Sequence, residues 1–398
     1  MPTTGMWGVL MTSLKRPLVY VACLFLLSRL LVIWGLYVGA MALPPSDIYP
    51  GDRTHLLAPF SRWDSAYYLD IATTGYAYDG DLSRYQNVAF FPVYPLLMSI
   101  VAWLPGVDVL TAGVLISHAA LFGALYFFYR FLGSVENMPV ARVGTALLAF
   151  IPFAAFFSLV YTESLFILAF SLYLYSFQKE KYLWAGLAAG VASGIRVQGI
   201  LLALPLAAWL FYKFYKTKRL SNTWQWLALP FSGMGLGLYS LYLWIRFGSP
   251  LLMVRVQSTW NHEPFTPMRF IETLMREGYH FLRVWSAGPT SSVLRHEGVR
   301  LLDIWWLCLS ILLIGVGFYL IRQRLYLWLA LLFWLFCVFT LASGFSSLGR
   351  YMVTVLPLYY VAALILVQVR RIVPVLLVVL AGGMVYWAML FSNWYWIG

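Results

Sequence analysis

The residues best suited to chemistry lie in the polar segment 61–94, SRWDSAYYLDIATTGYAYDGDLSRYQNVAFFPVY. Asp64, Tyr67 and Tyr68 are spaced i, i+3, i+4, so a helix would bring one carboxylate and two phenols to one face. A carboxylate held among aromatic side chains is suited to act as a general base toward a hydroxyl group. The alternative is that the acids of this region are ordinary solvated loop residues: Asp52, Asp64, Asp70, Asp79 and Asp81.

Three further charged residues interrupt apolar runs. Glu163 lies in LVYTESLF, Arg196 in SGIRVQG and Arg350 in SSLGRYMVTVLP. An ionisable residue at membrane depth is costly and indicates function, with a paired cation as the expected partner. For Glu163 we expect that partner to be Arg196; its alternative role is a carboxylate at a helix N-terminus. Arginine binds phosphate through a planar fork, but both arginines could equally form structural ion pairs or extend to the interface.

The amino-acid composition indicates the class of protein in which these residues lie. The chain has 398 residues, of which 62% are hydrophobic and 11% charged, with a net charge of +12. A soluble domain carries about 25% charged residues, so a soluble enzyme and a nucleic-acid-binding protein are both disfavoured. The three cysteines lie in apolar runs without a CxxC pair, which argues against a disulfide framework or a thiolate metal site. The sequence predicts an all-α, polytopic integral membrane protein.

Apolar runs predict ten to twelve spans in a single domain, 1–398. We expect spans near 17–43, 88–104, 107–130, 143–160, 162–178, 182–212, 224–246, 301–321, 325–343, 350–369 and 373–396. If the lysine clusters are all cytoplasmic, one segment between 88 and 178 cannot cross the membrane fully. We suspect 88–104, which contains two prolines. The run 182–212 fits two short helices that meet near 194–199, with Arg196 at the outer face. The lysines that set this orientation are Lys15, Lys179, Lys181, Lys213, Lys216 and Lys218.

Two longer segments, 44–87 and 247–300, are then predicted to lie outside, the first with short helices on the membrane surface. The second holds six arginines and three histidines, without the i, i+4 histidine spacing of a zinc site. We therefore expect arginines near lipid phosphates rather than a metal site. Carboxylates, aromatic rings and arginines at one level suit an acceptor hydroxyl together with an anionic lipid donor.

Several motifs carry a family resemblance. The stretch RWDSAYYLDIATTGY followed by NVAFFPVYPLL, and then VYTESLF, SGIRVQGIL and GRYMVTVLPLY, resemble glycosylphosphatidylinositol mannosyltransferase II, the PIG-V family of membrane glycosyltransferases with the GT-C fold. The resemblance implies transfer of a sugar, usually mannose, from a polyprenyl- or dolichyl-phosphate donor on the non-cytoplasmic face, with inversion and usually without a nucleotide sugar. No cofactor and no metal-ligating residue is predicted from the sequence, and a metal requirement is left open. It implies that Asp64 is the base and that Arg196 and Arg350 serve the donor phosphate or the fold. The residues predicted to bind substrate are Arg62, Trp63, Tyr67, Tyr68, Asp70, Glu163, Arg196, Arg350 and Tyr351.

The predicted function is thus a mannosyltransferase-like enzyme that glycosylates a lipid or glycolipid acceptor. The chain lacks the longer loops of eukaryotic members, so a bacterial plasma membrane is favoured over the endoplasmic reticulum. The rival function is a polytopic transporter or flippase for a lipid-linked or anionic substrate, with Glu163 and Arg196 lining its path. Transporters often contain repeats, and no repeat is visible in this sequence, which favours the enzyme. A second rival is a catalytically silent scaffold subunit of an enzyme complex.

Overall fold

The computed structural model describes residues 16–43, 55–217, 223–260, 327–342 and 347–395, together with the isolated positions Met275 and Gly315. Within those residues the chain is helical and contains no strand. The α-helices are α1 Pro17–Ala42, α2 Ser65–Thr74, α3 Val93–Val101, α4 Val109–Val135, α5 Met138–Phe150, α6 Glu163–Gln178, α7 Tyr182–Ile195, α8 Ala203–Thr217, α9 Ala228–Ser232, α10 Met234–Phe247, α11 Leu252–Arg255, α12 Leu327–Ala342, α13 Leu348–Met352, α14 Leu356–Leu366 and α15 Val373–Ser392. Short 3₁₀ helices are Ala58–Phe60, Asn87–Ala89, Pro152–Ser158, Val197–Leu202, Thr223–Leu227 and Val256–Trp260.

The bundle is built on long apolar helices. In the described part of the chain, four helices are long and apolar enough to span a membrane, and two bent pairs could each form a further span. Helix α4 packs against α1, α5 and α6, while α15 packs along α1. The protein is a multi-pass membrane protein. The predicted total of ten to twelve spans stays a prediction, because the expected span 301–321 lies outside the described residues.

The suspected exception, 88–104, does not form a spanning helix. Helix α3 has 9 residues, which gives a length of about 14 Å against the ~30 Å of a hydrocarbon core. It is fixed on the bundle by Tyr94, whose hydroxyl donates to the Gly113 carbonyl at 3.0 Å. The orientation set by the lysine clusters stays a prediction. The short helix α2 likewise agrees with the expectation of short helices in the outer segment.

Two predicted spans are broken rather than straight. The segment predicted at 143–160 consists of α5 and the 3₁₀ helix Pro152–Ser158, which meet at 74°. The segment 182–212 separates into α7 and α8 around an extended Arg196 and a 3₁₀ turn, as predicted. Gly199 permits this turn, because a Cβ there would lie 2.1 Å from the Ala192 carbonyl carbon. Irregular backbone at membrane depth is tolerated where protein buries it, and most residues of the first break are buried.

The first break is held by Arg29, a charged residue within α1 that the sequence analysis missed. Its buried guanidinium donates to the carbonyls of Ala149 at 3.2 Å and Ala154 at 2.9 Å and to the Ser158 hydroxyl at 2.8 Å. Ala149 lies in the last turn of α5, where carbonyls lack an i+4 donor, so the arginine supplies a hydrogen bond that the ended helix cannot. A lone charge within an apolar run was the signal that could have identified it.

Candidate active site

Asp64 is positioned by the start of a short helix in the segment 44–87, which was predicted to lie outside. Helix α2 begins at Ser65, and Asp64 is the residue immediately before it. The preceding residue, Trp63, has a φ of +55°, a left-handed conformation that costs a non-glycine residue about 1–3 kcal/mol. This turn directs the chain so that Asp64 is buried rather than solvated. The alternative of a solvated loop acid is therefore wrong for Asp64, whereas Asp70 and Asp79 are exposed.

The other charged residues come from the chain breaks. Glu163 is the first residue of α6 and directly follows the segment that Arg29 clamps. Arg196 lies in the extended link after α7, and Arg350 lies on the short helix α13. All three are buried. Helix breaks thus deliver to one place residues that are distant in sequence.

The four side chains form a continuous chain of ion pairs. Arg350 Nη1 donates to Asp64 Oδ2 at 2.7 Å, and Arg350 Nε lies 3.3 Å from Glu163 Oε1. The same Glu163 oxygen accepts from Arg196 Nη2 at 2.7 Å. The predicted pairing of Glu163 with Arg196 is therefore found. The pairing of Asp64 with Arg350 joins residues 286 positions apart and was not predicted.

Aromatic rings enclose the two guanidinium groups. The Arg196 and Arg350 guanidinium carbons lie 5.4 Å and 5.5 Å from the ring centre of Tyr351. Arg350 also lies 5.4 Å from the Tyr161 ring and 5.9 Å from the Phe156 ring. Cation–π contacts stabilise arginine where water is excluded. Tyr351 was among the predicted site residues. The rings of Phe156 and Tyr161 were not, although Tyr161 lies in the motif VYTESLF.

The charges of this cluster balance, since two carboxylates face two guanidinium groups. Two helix N-termini also point to it, because α2 begins after Asp64 and α6 begins at Glu163. A helix N-terminus carries roughly +0.5 elementary charge. The two carboxylates balance the charge of the two arginines, and the partial positive charges of the two helix N-termini are left over. The local field favours an additional anion more than an additional cation.

Several buried polar atoms on these segments have no hydrogen-bond partner within the described residues. They are Ser65 Oγ, Glu163 Oε2, Arg196 Nη1 and Gln198 Oε1. A buried polar atom without a partner costs about 1–3 kcal/mol and calls for an explanation. Such atoms beside a charged cluster are suited to bind a polar ligand.

Other predicted site residues are engaged outside the ion-pair chain. Arg62 donates to the Ser392 carbonyl at 3.2 Å and lies over the Trp394 ring, so it holds the end of α15 against the outer segment. The Trp63 ring packs edge-on against Trp394. The Asp70 carboxylate accepts from Asn87 Nδ2 and Thr74 Oγ1, each at 2.8 Å, and so organises the loop after α2.

The two predicted tyrosines separate. Tyr67 stacks on Phe90 with ring centres 4.6 Å apart, whereas Tyr68 is buried with its hydroxyl 3.5 Å from the Thr162 hydroxyl. Tyr68 also contacts the Tyr161 ring, which places it beside the cluster. A helical face that carries Asp64 together with both phenols is therefore only partly realised, because Asp64 lies before the first turn of α2.

The exposed acids of the outer loop are satisfied locally. Hydrogen bonds from the Asp81 backbone and from Gln86 lower the pKa of Asp79, and those from the Ser83 hydroxyl and backbone lower the pKa of Asp81. Arg84 lies close to both carboxylates. No group of three or more metal-ligating side chains occurs among the described residues. The histidines at 262, 280 and 296, and all the arginines of 247–300 except Arg255, lie outside those residues.

The sequence matches one protein family over just over half of its length. The family model described as mannosyltransferase (PIG-V) matches residues 43–245. The chain belongs to the PIG-V mannosyltransferase family. Asp64, Glu163 and Arg196 lie within the matched range, and Arg350 follows it. Comparison with curated proteins gives no significant match.

The fold is also similar to a solved structure. The crystal structure of the Archaeoglobus fulgidus oligosaccharyltransferase in the apo form matches with a TM-score of 0.50 and 14% sequence identity, covering 95% of this chain and 56% of that chain. The same archaeal enzyme, AglB, in complex with an inhibitory peptide and a dolichol-phosphate matches with a TM-score of 0.45 and 12% identity, covering 94% and 55%. The chain thus spans little more than half the length of these proteins.

These findings confirm the predicted family and the all-α, GT-C-type fold. The chain is thus similar in family and in fold to membrane glycosyltransferases. Family membership therefore favours the enzyme over the transporter and scaffold alternatives.

Proposed function

We propose that the protein is an inverting glycosyltransferase that uses a polyprenyl- or dolichyl-phosphate sugar on the non-cytoplasmic face of the membrane. The acceptor is a hydroxyl group of a lipid or glycolipid, and the family favours mannose as the sugar. The observation that carries this proposal is the buried chain Asp64–Arg350–Glu163–Arg196, which joins a base to phosphate-binding groups.

The proposed reaction is a single displacement at the anomeric carbon. The acceptor oxygen attacks from the side opposite the phosphate and forms the new glycosidic bond. The bond between the anomeric carbon and the phosphate oxygen breaks, and its electron pair leaves on the polyprenyl phosphate. Asp64 takes the acceptor's proton as a general base. Attack from the opposite face inverts the configuration at the anomeric carbon.

The arginines provide for the charge that develops on the leaving group. Preorganised cations aimed at a developing negative charge in a water-poor site lower the barrier without reorganising during the reaction. The aromatic rings around Arg350 and Arg196 supply such an environment. Both helix N-termini at the cluster add to the same field. A lipid-linked donor suits a site enclosed by apolar spans, since its chain stays in the bilayer while its phosphate reaches the cluster.

The proposal is tested by transfer from radiolabelled polyprenyl-phosphate mannose to a host lipid extract. Purified wild-type protein in liposomes is compared with Asp64→Asn and with Asp79→Asn, which makes the same change at an exposed acid of the same outer segment. We expect a labelled lipid with the wild type and with Asp79→Asn, and none with Asp64→Asn. Mass spectrometry of the product then identifies the acceptor.

Two results would contradict the proposal. Turnover retained by purified Asp64→Asn protein would remove Asp64 as the base. A product with retained anomeric configuration would exclude single displacement. If the wild type binds no polyprenyl-phosphate sugar but carries an anionic lipid across a vesicle membrane, the transporter alternative takes its place.

A further inference from the structure

The two arginines of the cluster are placed differently. Arg350 lies in the middle of the ion-pair chain, between both carboxylates, whereas Arg196 lies at its end. We propose that Arg196 binds the donor phosphate, and that Arg350 and Glu163 are positioning residues that hold Asp64 and Arg196 in place. This division of roles rests on the proposed function.

The guanidinium group of Arg350 is held by carboxylates and aromatic rings of the protein. Its Nη1 donates to Asp64 at 2.7 Å and its Nε lies 3.3 Å from Glu163. The rings of Tyr161, Tyr351 and Phe156 lie against the guanidinium group. A phosphate could recruit this side chain only by replacing the carboxylate that the reaction needs as its base. Its geometry suits the orientation of that carboxylate.

Arg196 retains a donor for a ligand. Its Nη2 is taken by Glu163, but its Nη1 is buried without a hydrogen-bond partner in the described structure. The side chain is 10% exposed, so a ligand anion there would be largely desolvated. A charge-assisted hydrogen bond in such a place is roughly twice as strong as a neutral one. Two residues further along the chain, Gln198 Oε1 is likewise buried without a hydrogen-bond partner in the described structure.

Glu163 links the two arginines through one oxygen. Its Oε1 lies 2.7 Å from Arg196 and 3.3 Å from Arg350. The residue is fully buried and is the first residue of α6, so its position follows that of the helix. Glu163 therefore sets the distance between the phosphate-binding arginine and the arginine that holds the base.

The proposal is tested with charge-preserving variants. Arg196→Lys and Arg350→Lys both keep the cluster neutral and both lose the planar fork. Binding of a short-chain polyprenyl phosphate is measured by titration of purified full-length protein in detergent, and kcat and the donor KM are measured in the transfer assay. Size-exclusion chromatography establishes that each variant is folded. Should Arg196→Lys aggregate, the double variant Arg196→Gln/Glu163→Gln, which is again neutral, replaces it.

We expect Arg196→Lys to weaken polyprenyl-phosphate binding about tenfold and to raise the donor KM. Arg350→Lys should change that binding less than threefold while kcat falls at least tenfold. Equal weakening by both variants, or unchanged binding in Arg196→Lys, would overturn the assignment but leave the proposed function intact. Failure of the wild type to bind polyprenyl phosphate would reject the proposed function together with the assignment.

Discussion

Because the charges of the cluster balance, removing a negative or a positive member should change the affinity for an anionic ligand in opposite directions. Glu163→Gln keeps an oxygen that can accept from Arg196 Nη2, which now donates at 2.7 Å, but it leaves the cluster with one uncompensated positive charge. Arg196→Gln leaves one uncompensated negative charge. Two unit charges about 4 Å apart interact by about 4 kcal/mol at an effective dielectric constant of 20. Unpairing one partner of a buried ion pair costs about 3–5 kcal/mol, so both variants should be less stable than the wild type.

The two variants should respond to an anionic ligand in opposite directions. A bound phosphate monoester, which carries about −1.5 to −2 at pH 7, is attracted by the excess positive charge of Glu163→Gln and repelled by the excess negative charge of Arg196→Gln. If binding recovers only a third of the pair energy, about 1.4 kcal/mol, affinity for polyprenyl phosphate rises about tenfold in Glu163→Gln. In Arg196→Gln the affinity should fall at least tenfold, because the ligand's hydrogen bond is lost as well.

Thermal unfolding in detergent measures both effects in one titration. At a ligand concentration of 100 Kd the stabilisation is about 2.7 kcal/mol, so the ligand concentration needed for a given rise in Tm reports affinity. Glu180→Gln is the matched control, since Glu180 pairs with Lys213 away from the cluster and its side chain is 69% exposed. Removing such a surface pair costs about 0–1 kcal/mol, and ligand affinity should not change. Weaker binding in both cluster variants would refute the charge-balance argument, because the displacement of Arg196 would then outweigh the gain in positive charge.

Three further predictions follow from the surrounding structure. Gly349→Ala would place a Cβ 2.2 Å from the Phe153 ring, so we expect a reduced kcat at an unchanged expression level. The double variant Gly349→Ala/Phe153→Leu should recover part of the activity, whereas full activity of the single variant would contradict the close packing. Arg29→Met removes hydrogen bonds to buried carbonyls, so unfolding should be easier by roughly 3 kcal/mol, and an unchanged Tm would contradict the clamp. A hydrogen bond from the Thr111 backbone lowers the pKa of Asp108 in the folded protein. The Asp108 carboxylate therefore stabilises the fold above its unfolded pKa, and this stabilisation is lost as the pH falls through the lower folded pKa. In Asp108→Asn the fall in Tm below about pH 4 should be flatter, and an unaltered dependence of Tm on pH would contradict this.

Charges inside apolar runs made much of the site predictable. Glu163 and Arg196 stand out because an ionisable residue at membrane depth is costly. Asp64 stands out for another reason, its helical spacing from two tyrosines in a polar segment. The pairing of Glu163 with Arg196 was predictable because the sequence predicts that both residues lie at the same membrane depth. By the same reasoning Arg29 could have been found, but its partners are backbone carbonyls, which no motif marks. The expected break near Arg196 was predictable because 31 residues are too many for one helix and too few for two full spans.

The bend after α5 could not be read from the sequence. Residues 143–160 are uniformly apolar and give one continuous signal, and Pro152 is compatible with either a kink or a helix start. The bend is stable because Arg29, from another helix, binds carbonyls on both sides of it. The Asp64–Arg350 pair was unpredictable for a similar reason. It depends on how α13 packs against the bent segment, a contact between regions that share no local sequence signal.

The charge balance of the cluster changes during the proposed reaction. Under the proposed mechanism the donor phosphate carries one negative charge before transfer, and the leaving monoester carries about −1.5 to −2 at pH 7. Asp64 becomes neutral when it takes the acceptor's proton, so the cluster gains one positive charge as the phosphate gains a negative one. Arg350 then keeps Glu163, at 3.3 Å, as its charged partner, and the cluster as a whole carries one excess positive charge. The proton must leave Asp64 before the resting Asp64–Arg350 pair re-forms. Its loss removes the excess positive charge of the cluster, so under this mechanism the lipid phosphate is released more easily after the proton has left.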